Sequence, residues 1–188
     1  MSRGEVCDEL RLSAAGCSPP GEGTRPTSDR VRESLFSSLT TLDMLTGAHV
    51  LDVCAGSGGL GFEALSRGAA HVTFIERAAS VCRVITANAR SLRVTGEVEI
   101  IQAPAAAGAG RLPEGSIDLI FADPPYPMPE AEVTAILDAC APLLRDPAAL
   151  IVFERSSRSP EPRLPERLEV FRHKKVGETA LWFLQLRE

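Results

Sequence analysis

Two stretches of this sequence, Asp52 to Gly61 and Asp123 to Tyr126, combine residue types that could do chemistry. The first reads Val50-Leu51-Asp52-Val53-Cys54-Ala55-Gly56-Ser57-Gly58-Gly59-Leu60-Gly61. Glycines let a backbone turn sharply and approach a ligand closely. The spacing Gly56-x-Gly58-x-x-Gly61 fits the pattern of a nucleotide-binding loop between a strand and a helix. Glu76 lies 20 residues after Gly56, where a carboxylate can accept hydrogen bonds from ribose hydroxyls. Two cofactors meet this much of the pattern, a nicotinamide dinucleotide and S-adenosylmethionine, because both carry an adenosine ribose. A pyrophosphate wants a helix N-terminus free of anions. Asp52 instead sets an acid just before the loop, which suits a cationic amino group such as that of a methionine moiety.

The second stretch is Asp123-Pro124-Pro125-Tyr126, directly after the apolar run Leu119-Ile120-Phe121-Ala122. Two prolines remove backbone donors and stiffen the turn, which fixes the direction of the Pro124 carbonyl. An exocyclic amine on a nucleic-acid base is a weak nucleophile, because its lone pair is delocalised into the ring. A carboxylate and a carbonyl that accept its two N–H groups would hold the nitrogen and push electron density onto it. Tyr126 could stack on the base, which would have to be flipped out of any paired stem. Both guanine and adenine carry such an amine, so the turn specifies the reacting atom and leaves the base open.

These motifs need strands that end side by side. The pattern predicts strands over 49–53, 71–76, 98–102, 117–122 and 149–154. Helices are expected over 60–67, 80–92 and 130–144. Repeated strand–helix–strand units imply a mostly parallel sheet covered on both faces, with ligands at the carboxyl ends of the strands. An earlier helix starts near Thr27 or Ser28, with Asp29 in its first turn and Val31, Leu35, Phe36 and Leu39 as its buried stripe. Segments 168–175 and 179–187 read as a closing strand pair turning at Gly177. The Ala/Gly-rich 103–110 reads as a loose loop or one weak helical turn. Residues 1–23 form an irregular extension, with a short strand or hairpin at 5–12 as a weak option, and 24–188 form one domain.

The chain has 188 residues, 44% of them hydrophobic, and a net charge of −5. That suits a single domain with a real core and argues against broad, nonspecific nucleic-acid binding. Local basic groups remain: Arg25, Arg30 and Arg32; Arg83, Arg90 and Arg93; and Arg172, His173, Lys174 and Lys175. No apolar run approaches the roughly 20 residues that span a bilayer, and Met1–Leu10 lacks a signal-peptide pattern, so a cytoplasmic protein without membrane association is expected. The cysteines Cys7, Cys17, Cys54, Cys82 and Cys140 show no metal-ligand spacing, and His49, His71 and His173 none either. No metal is expected.

Asp52-x-x-Ala55-Gly56-Ser57-Gly58 resembles the first motif of class I methyltransferases. Taken with the Asp-Pro-Pro-Tyr turn, the segment from Thr24-Arg25-Pro26-Thr27 through Phe36, Leu65-Ser66-Arg67-Gly68-Ala69 and Val176-Gly177-Glu178-Thr179, it resembles the bacterial 16S ribosomal RNA (guanine(966)-N(2))-methyltransferases from about Thr24 to Glu188. The resemblance implies an α/β class I methyltransferase fold, a Rossmann-like, mostly parallel seven-stranded sheet with helices on both faces. It implies S-adenosylmethionine as methyl donor, and as acceptor the N2 amine of a guanine in 16S ribosomal RNA, within a small-subunit assembly particle. The enzyme would act as a monomer. The catalytic turn would be Asp123, Pro124, Pro125 and Tyr126. Asp52, Ala55, Gly56, Ser57 and Gly58 would line the cofactor, Glu76 and Arg77 its ribose side, and Arg30, Ala105 and Asp123 the remainder. Arg25, Thr27, Arg32 and Tyr126 would meet the substrate. Other readings are an adenine-N6 methyltransferase of DNA or RNA, and a non-catalytic, cofactor-binding ribosome-assembly factor. The chain departs from the family in two places. Residues 1–23 lack its basic, glycine-rich hairpin. Gln102-Ala103-Pro104-Ala105 sets a proline where the family has an Asp or Asn facing the adenine amine, which leaves the Ala105 backbone and apolar contact to hold that ring.

Overall fold

The computed structural model describes residues 29–125 and 128–187. Expectations for the extension, Arg25, Thr27, the Ser28 cap and Tyr126 lie outside those residues. In chain order the elements are α1 (Asp29–Thr41), β1 (His49–Val53), α2 (Gly59–Ser66), β2 (His71–Glu76), α3 (Ala79–Ser91), β3 (Val98–Gln102), α4 (Ala105–Ala109), β4 (Leu119–Ala122), α5 (Glu130–Cys140), β5 (Leu150–Ser156), β6 (Leu168–Val176) and β7 (Thr179–Leu186). The seven strands form one sheet in the order β3-β2-β1-β4-β5-β7-β6. The first five run parallel. β7 is antiparallel to both β5 and β6, so the sheet is mixed.

The central strands are apolar on both sides because both faces are covered. On one face α1, α2 and α3 pack Leu35, Phe36, Phe62 and Ile85 onto Val50, Phe74, Phe121 and Val152. On the other, α4 and α5 pack Ala109, Ile136 and Leu137 onto Val53, Ile75, Ile120 and Phe153. In α1 the expected stripe is buried: Val31, Leu35, Phe36 and Leu39. The helix stops where Asp43 takes a left-handed conformation at φ 54° and the Met44 N–H reaches back to the Leu39 carbonyl at 3.0 Å, which satisfies one of the last-turn acceptors. No helix among the described residues is long and apolar enough to cross a membrane.

Two local expectations are corrected. The helix expected over 130–144 ends at Cys140 and gives way to a 3-10 turn over Ala141–Leu143, because Pro142 has no N–H to continue the ladder. The strand expected over 117–122 is regular only from Leu119, Ile117 making an isolated bridge to Leu144. Of the two options for 103–110 the helical turn is the one that forms: α4 has five residues, and its small side chains let it lie against β2. A Cβ on Gly108 would stand 2.6 Å from Ile75 Cγ2.

Candidate active site

The carboxyl ends of β1, β2 and β4 bring together residues far apart in sequence. Val53 lies abreast of Ile75 on one side and Ala122 on the other, so the next residues, Cys54, Glu76 and Asp123, come level at one sheet edge. The loop after β1 is tightly shaped. Cys54 (φ 62°), Gly56 (φ 54°) and Gly58 (φ 84°) are all left-handed. For a cysteine this conformation costs on the order of 1–3 kcal/mol, a strain that persists only where the surroundings enforce it.

What enforces it is a set of side-chain braces. Asp52 is 2% exposed, and its Oδ2 accepts the Gly61 N–H at 2.9 Å. Glu76 spans the gap from β2: Oε2 accepts the Gly56 N–H at 3.2 Å and Oε1 the Ala78 N–H at 2.9 Å. From α3, buried Asn88 donates to the Ser57 carbonyl at 3.1 Å. The Ala55 N–H donates to the Ile75 carbonyl. The loop is thereby a fixed surface, and Gly56 has open space where a side chain would stand.

The site is acidic. Burial pushes the Asp52 carboxyl up to about 8, partly offset by the Gly61 N–H and raised further by Asp123 and Glu76. Burial, then the charges of Glu76, Asp52 and Asp123, push the Cys54 thiol up to about 12, which leaves it unreactive as a nucleophile. Glu76 and Asp123 are half-buried at this sheet edge with Asp52 beneath them, and such a grouping of acids favours a cationic ligand and disfavours a pyrophosphate. Among the described residues no group of three or more His, Cys, Asp or Glu could hold a metal ion.

Of the other candidate residues, Asp123 and Ala105 follow β4 and β3 at the same sheet edge. Asp123 is half-buried, Pro124 buried and Pro125 exposed. Arg77 is exposed yet close enough for its charge to act on Cys54. Ala105 opens α4 next to Pro104, which stands at the helix N-cap without a side-chain cap bond. Arg30 is exposed on the first turn of α1, while Arg32 is engaged by Asp29 at 2.7 Å.

Sequence reasoning missed Asn88 and Arg155. Asn88 falls on the buried face of α3 with Ile85 and Ala89, a position where an amide needs a partner; that placement was the available signal. Arg155 is the penultimate residue of β5, the strand next to the one that carries the Asp123 turn. It pairs with Glu130, the first residue of α5, at 2.5 Å, and so ties down the far end of the segment that carries the turn. Glu130 is held below the usual carboxylate range by that hydrogen bond.

The glycine requirement can be tested directly. A Cβ on Gly61 would lie 2.3 Å from Phe74 Cε1 and 2.8 Å from Val72 Cγ1, whereas one on Gly59 would meet nothing. Gly61→Ala should lower unfolding stability in urea by about 1–3 kcal/mol through overpacking. Gly59→Ala, in the same helical turn, should be neutral or slightly stabilising. Equal effects of the two would refute the close approach of α2 to β2.

Residues 17–185 match the family model described as Conserved hypothetical protein 95. Ribosomal RNA small subunit methyltransferase D of Haemophilus influenzae is 35% identical over 158 residues, 83% of this chain and 80% of that one. YlbH of Bacillus subtilis is 39% identical over 108 residues, a match that spans 56% of this chain and 58% of the Bacillus protein. Among solved structures, yhhF from Escherichia coli superposes with a TM-score of 0.71 at 31% identity, covering 89% of this chain and 90% of that one.

Proposed function

The chain belongs to the Conserved hypothetical protein 95 family, and from that premise we propose that it transfers a methyl group from S-adenosylmethionine to the N2 amine of a guanine in 16S ribosomal RNA. Its fold, the Rossmann-like fold of class I methyltransferases, is shared with yhhF. The observation that carries the reading is the Asp123-Pro124-Pro125 turn ending β4 directly beside the glycine loop ending β1. A relative named as a small-subunit ribosomal RNA methyltransferase supports the substrate class.

The residues present fit this cofactor: an acidic cluster for its cationic end, and a glycine whose missing side chain leaves the loop backbone accessible. When bound, S-adenosylmethionine supplies an electrophilic methyl group on a sulfonium. Asp52, Glu76 and Asp123 favour that charge, and Glu76 is the residue assigned to the ribose. The loop from Ala55 to Gly58, Ser57 included, offers its backbone to the methionine end, to which Arg30 is also assigned, while Arg77 is assigned with Glu76 to the ribose side. The Asp123 carboxylate and the Pro124 carbonyl accept the two N–H groups of the amine, which orients its lone pair, a contribution of several kcal/mol by rough estimate. Tyr126, next in sequence, is assigned to stacking on the base, and Arg25, Thr27 and Arg32 to the RNA around it.

The deciding experiment offers purified protein and labelled S-adenosylmethionine naked 16S RNA, assembled small subunits and duplex DNA, then maps the modified nucleoside. Label in N2-methylguanine from either RNA sample is expected. Label in DNA, or as N6-methyladenine, would overturn the substrate; cofactor binding without transfer to any sample would overturn the activity.

Pro104 gives a second test. An Asp there would cap α4, which has no side-chain cap, for about 1 kcal/mol, and would add an acceptor for the adenine amine. Pro104→Asp should therefore raise the melting temperature and tighten cofactor binding several-fold by calorimetry. A rise in melting temperature without tighter binding would refute the adenine contact.

A further inference from the structure

The basic run Arg172-His173-Lys174-Lys175 lies on β6, the outer strand of the sheet. β6 is antiparallel to β7, which is antiparallel to β5. β6 therefore runs in the same direction as β4, and its carboxyl half lies at the same sheet edge as the Asp123 turn. Three strand spacings separate β4 from β6, about 14 Å at roughly 4.8 Å each, on the order of four stacked nucleotides at 3.4 Å per step.

Lys174 is used by the fold: its Nζ donates to the Ser34 carbonyl and Ser38 Oγ of α1. The others are exposed. A register shift between Val170 and Arg172 leaves Phe171 out of the ladder. Phe171 (44% exposed) and Val170 (37%) are the exposed large hydrophobic residues among those described. Arg172 stands over the Phe171 ring at 5.6 Å, and His173 stacks on Trp182 at 3.9 Å. Among the described residues, neither Arg172 nor Lys175 has an ion-pair partner. In a chain of net charge −5, unpaired cations interleaved with an exposed aromatic at the edge of the site are concentrated where a polyanion with stackable bases would bind.

We infer that the bulged carboxyl half of β6 is an RNA-docking edge, with Arg172 and Lys175 on backbone phosphates and Phe171 on an unpaired base flanking the target. The inference rests on the RNA-directed reading above. Because these residues touch neither the cofactor nor the reacting amine, they govern how tightly RNA is held and not how fast the amine reacts.

The test uses the full chain, with a 16S RNA transcript and small subunits as probes. R172A/K175A should weaken RNA affinity about tenfold or more and reduce the slope of log K against log salt by roughly 1.5. F171A should weaken it roughly fivefold or more with little change in that slope. Melting temperature, calorimetric affinity for S-adenosylmethionine and kcat at saturating RNA should stay at wild-type values, with KM for RNA rising. If wild type methylates RNA and these variants bind it with unchanged affinity and slope, the docking edge is refuted and the activity stands. If wild type binds and methylates no RNA, both readings fall. Wild-type binding to anionic lipid vesicles that the variants lose, with RNA affinity untouched, would assign the edge to a membrane surface and overturn the RNA inference.

Discussion

Replacing Asp123 by Asn should lower methyl transfer to RNA by on the order of 100- to 1,000-fold, with S-adenosylmethionine affinity within about threefold of wild type. Asn keeps the size of the side chain and one acceptor oxygen. It removes the negative charge that builds electron density on the amine nitrogen, and its NH2 can face the substrate NH2 donor to donor. That penalty is felt most in the transition state, where the nitrogen gives up its lone pair, so kcat should fall more than KM rises. The substitution removes one of the acids that favour the cofactor's positive charge and also one of the charges that raise the Asp52 carboxyl; the two act in opposite directions on cofactor affinity, so its net change should stay small. Single-turnover kinetics with saturating RNA separate chemistry from binding. A variant with near-normal turnover would refute the role of Asp123, since no other acid of the cluster sits at the end of β4.

What could be read from the sequence is what one residue type dictates by itself. Gly56, Gly58 and Gly61 mark a loop because glycine takes left-handed angles at least cost, at Gly56 and Gly58, and permits a close approach at Gly61. Two prolines mark a fixed turn. β1, β2 and β3 have the limits that their apolar, β-branched runs predict. Features created by packing were not visible. The left-handed Cys54 is imposed by neighbours, for nothing in a cysteine favours φ 62°. For α4 the sequence leaves loop and helical turn open because alanine and glycine carry no pattern; the close approach of Gly108 to Ile75 is a tertiary feature. Asn88 is one polar residue on a helix until the fold sets it under Ser57. The bulge that exposes Phe171 is a matter of register between two strands, and a linear pattern contains no register. The acidic cluster lies between these cases: each acid was recognised singly, and the sheet order alone makes them neighbours.

That cluster leads to the second large effect. Binding of S-adenosylmethionine should strengthen as pH rises from 6 to 8 and should release a proton. In the free protein the Asp52 carboxyl holds its proton to about 8, chiefly because burial penalises the charged form, against an ordinary value of 3.8. A cationic ligand over the loop stabilises the carboxylate and lowers that pKa in the complex. Between the two values the free protein is protonated and the complex is not, so binding expels a proton and affinity climbs by up to about tenfold per pH unit. The same shift has the opposite consequence for the free fold. Between 3.8 and about 8 the unfolded chain has ionised Asp52 while the folded one has not, so this residue's contribution to stability declines as pH rises through that window and levels off above it. Calorimetry in two buffers of different ionisation enthalpy, at pH 6, 7 and 8, counts the protons. Asp52→Asn keeps an oxygen to accept the Gly61 N–H and removes the titration, so its affinity should vary much less with pH. S-adenosylhomocysteine lacks the sulfonium charge but keeps the ammonium, and should show a weaker pH dependence if the sulfonium contributes to the shift. Affinity for S-adenosylmethionine that is flat from pH 6 to 8, with no difference between buffers, would mean that the cation is held elsewhere and that Asp52 serves the loop alone.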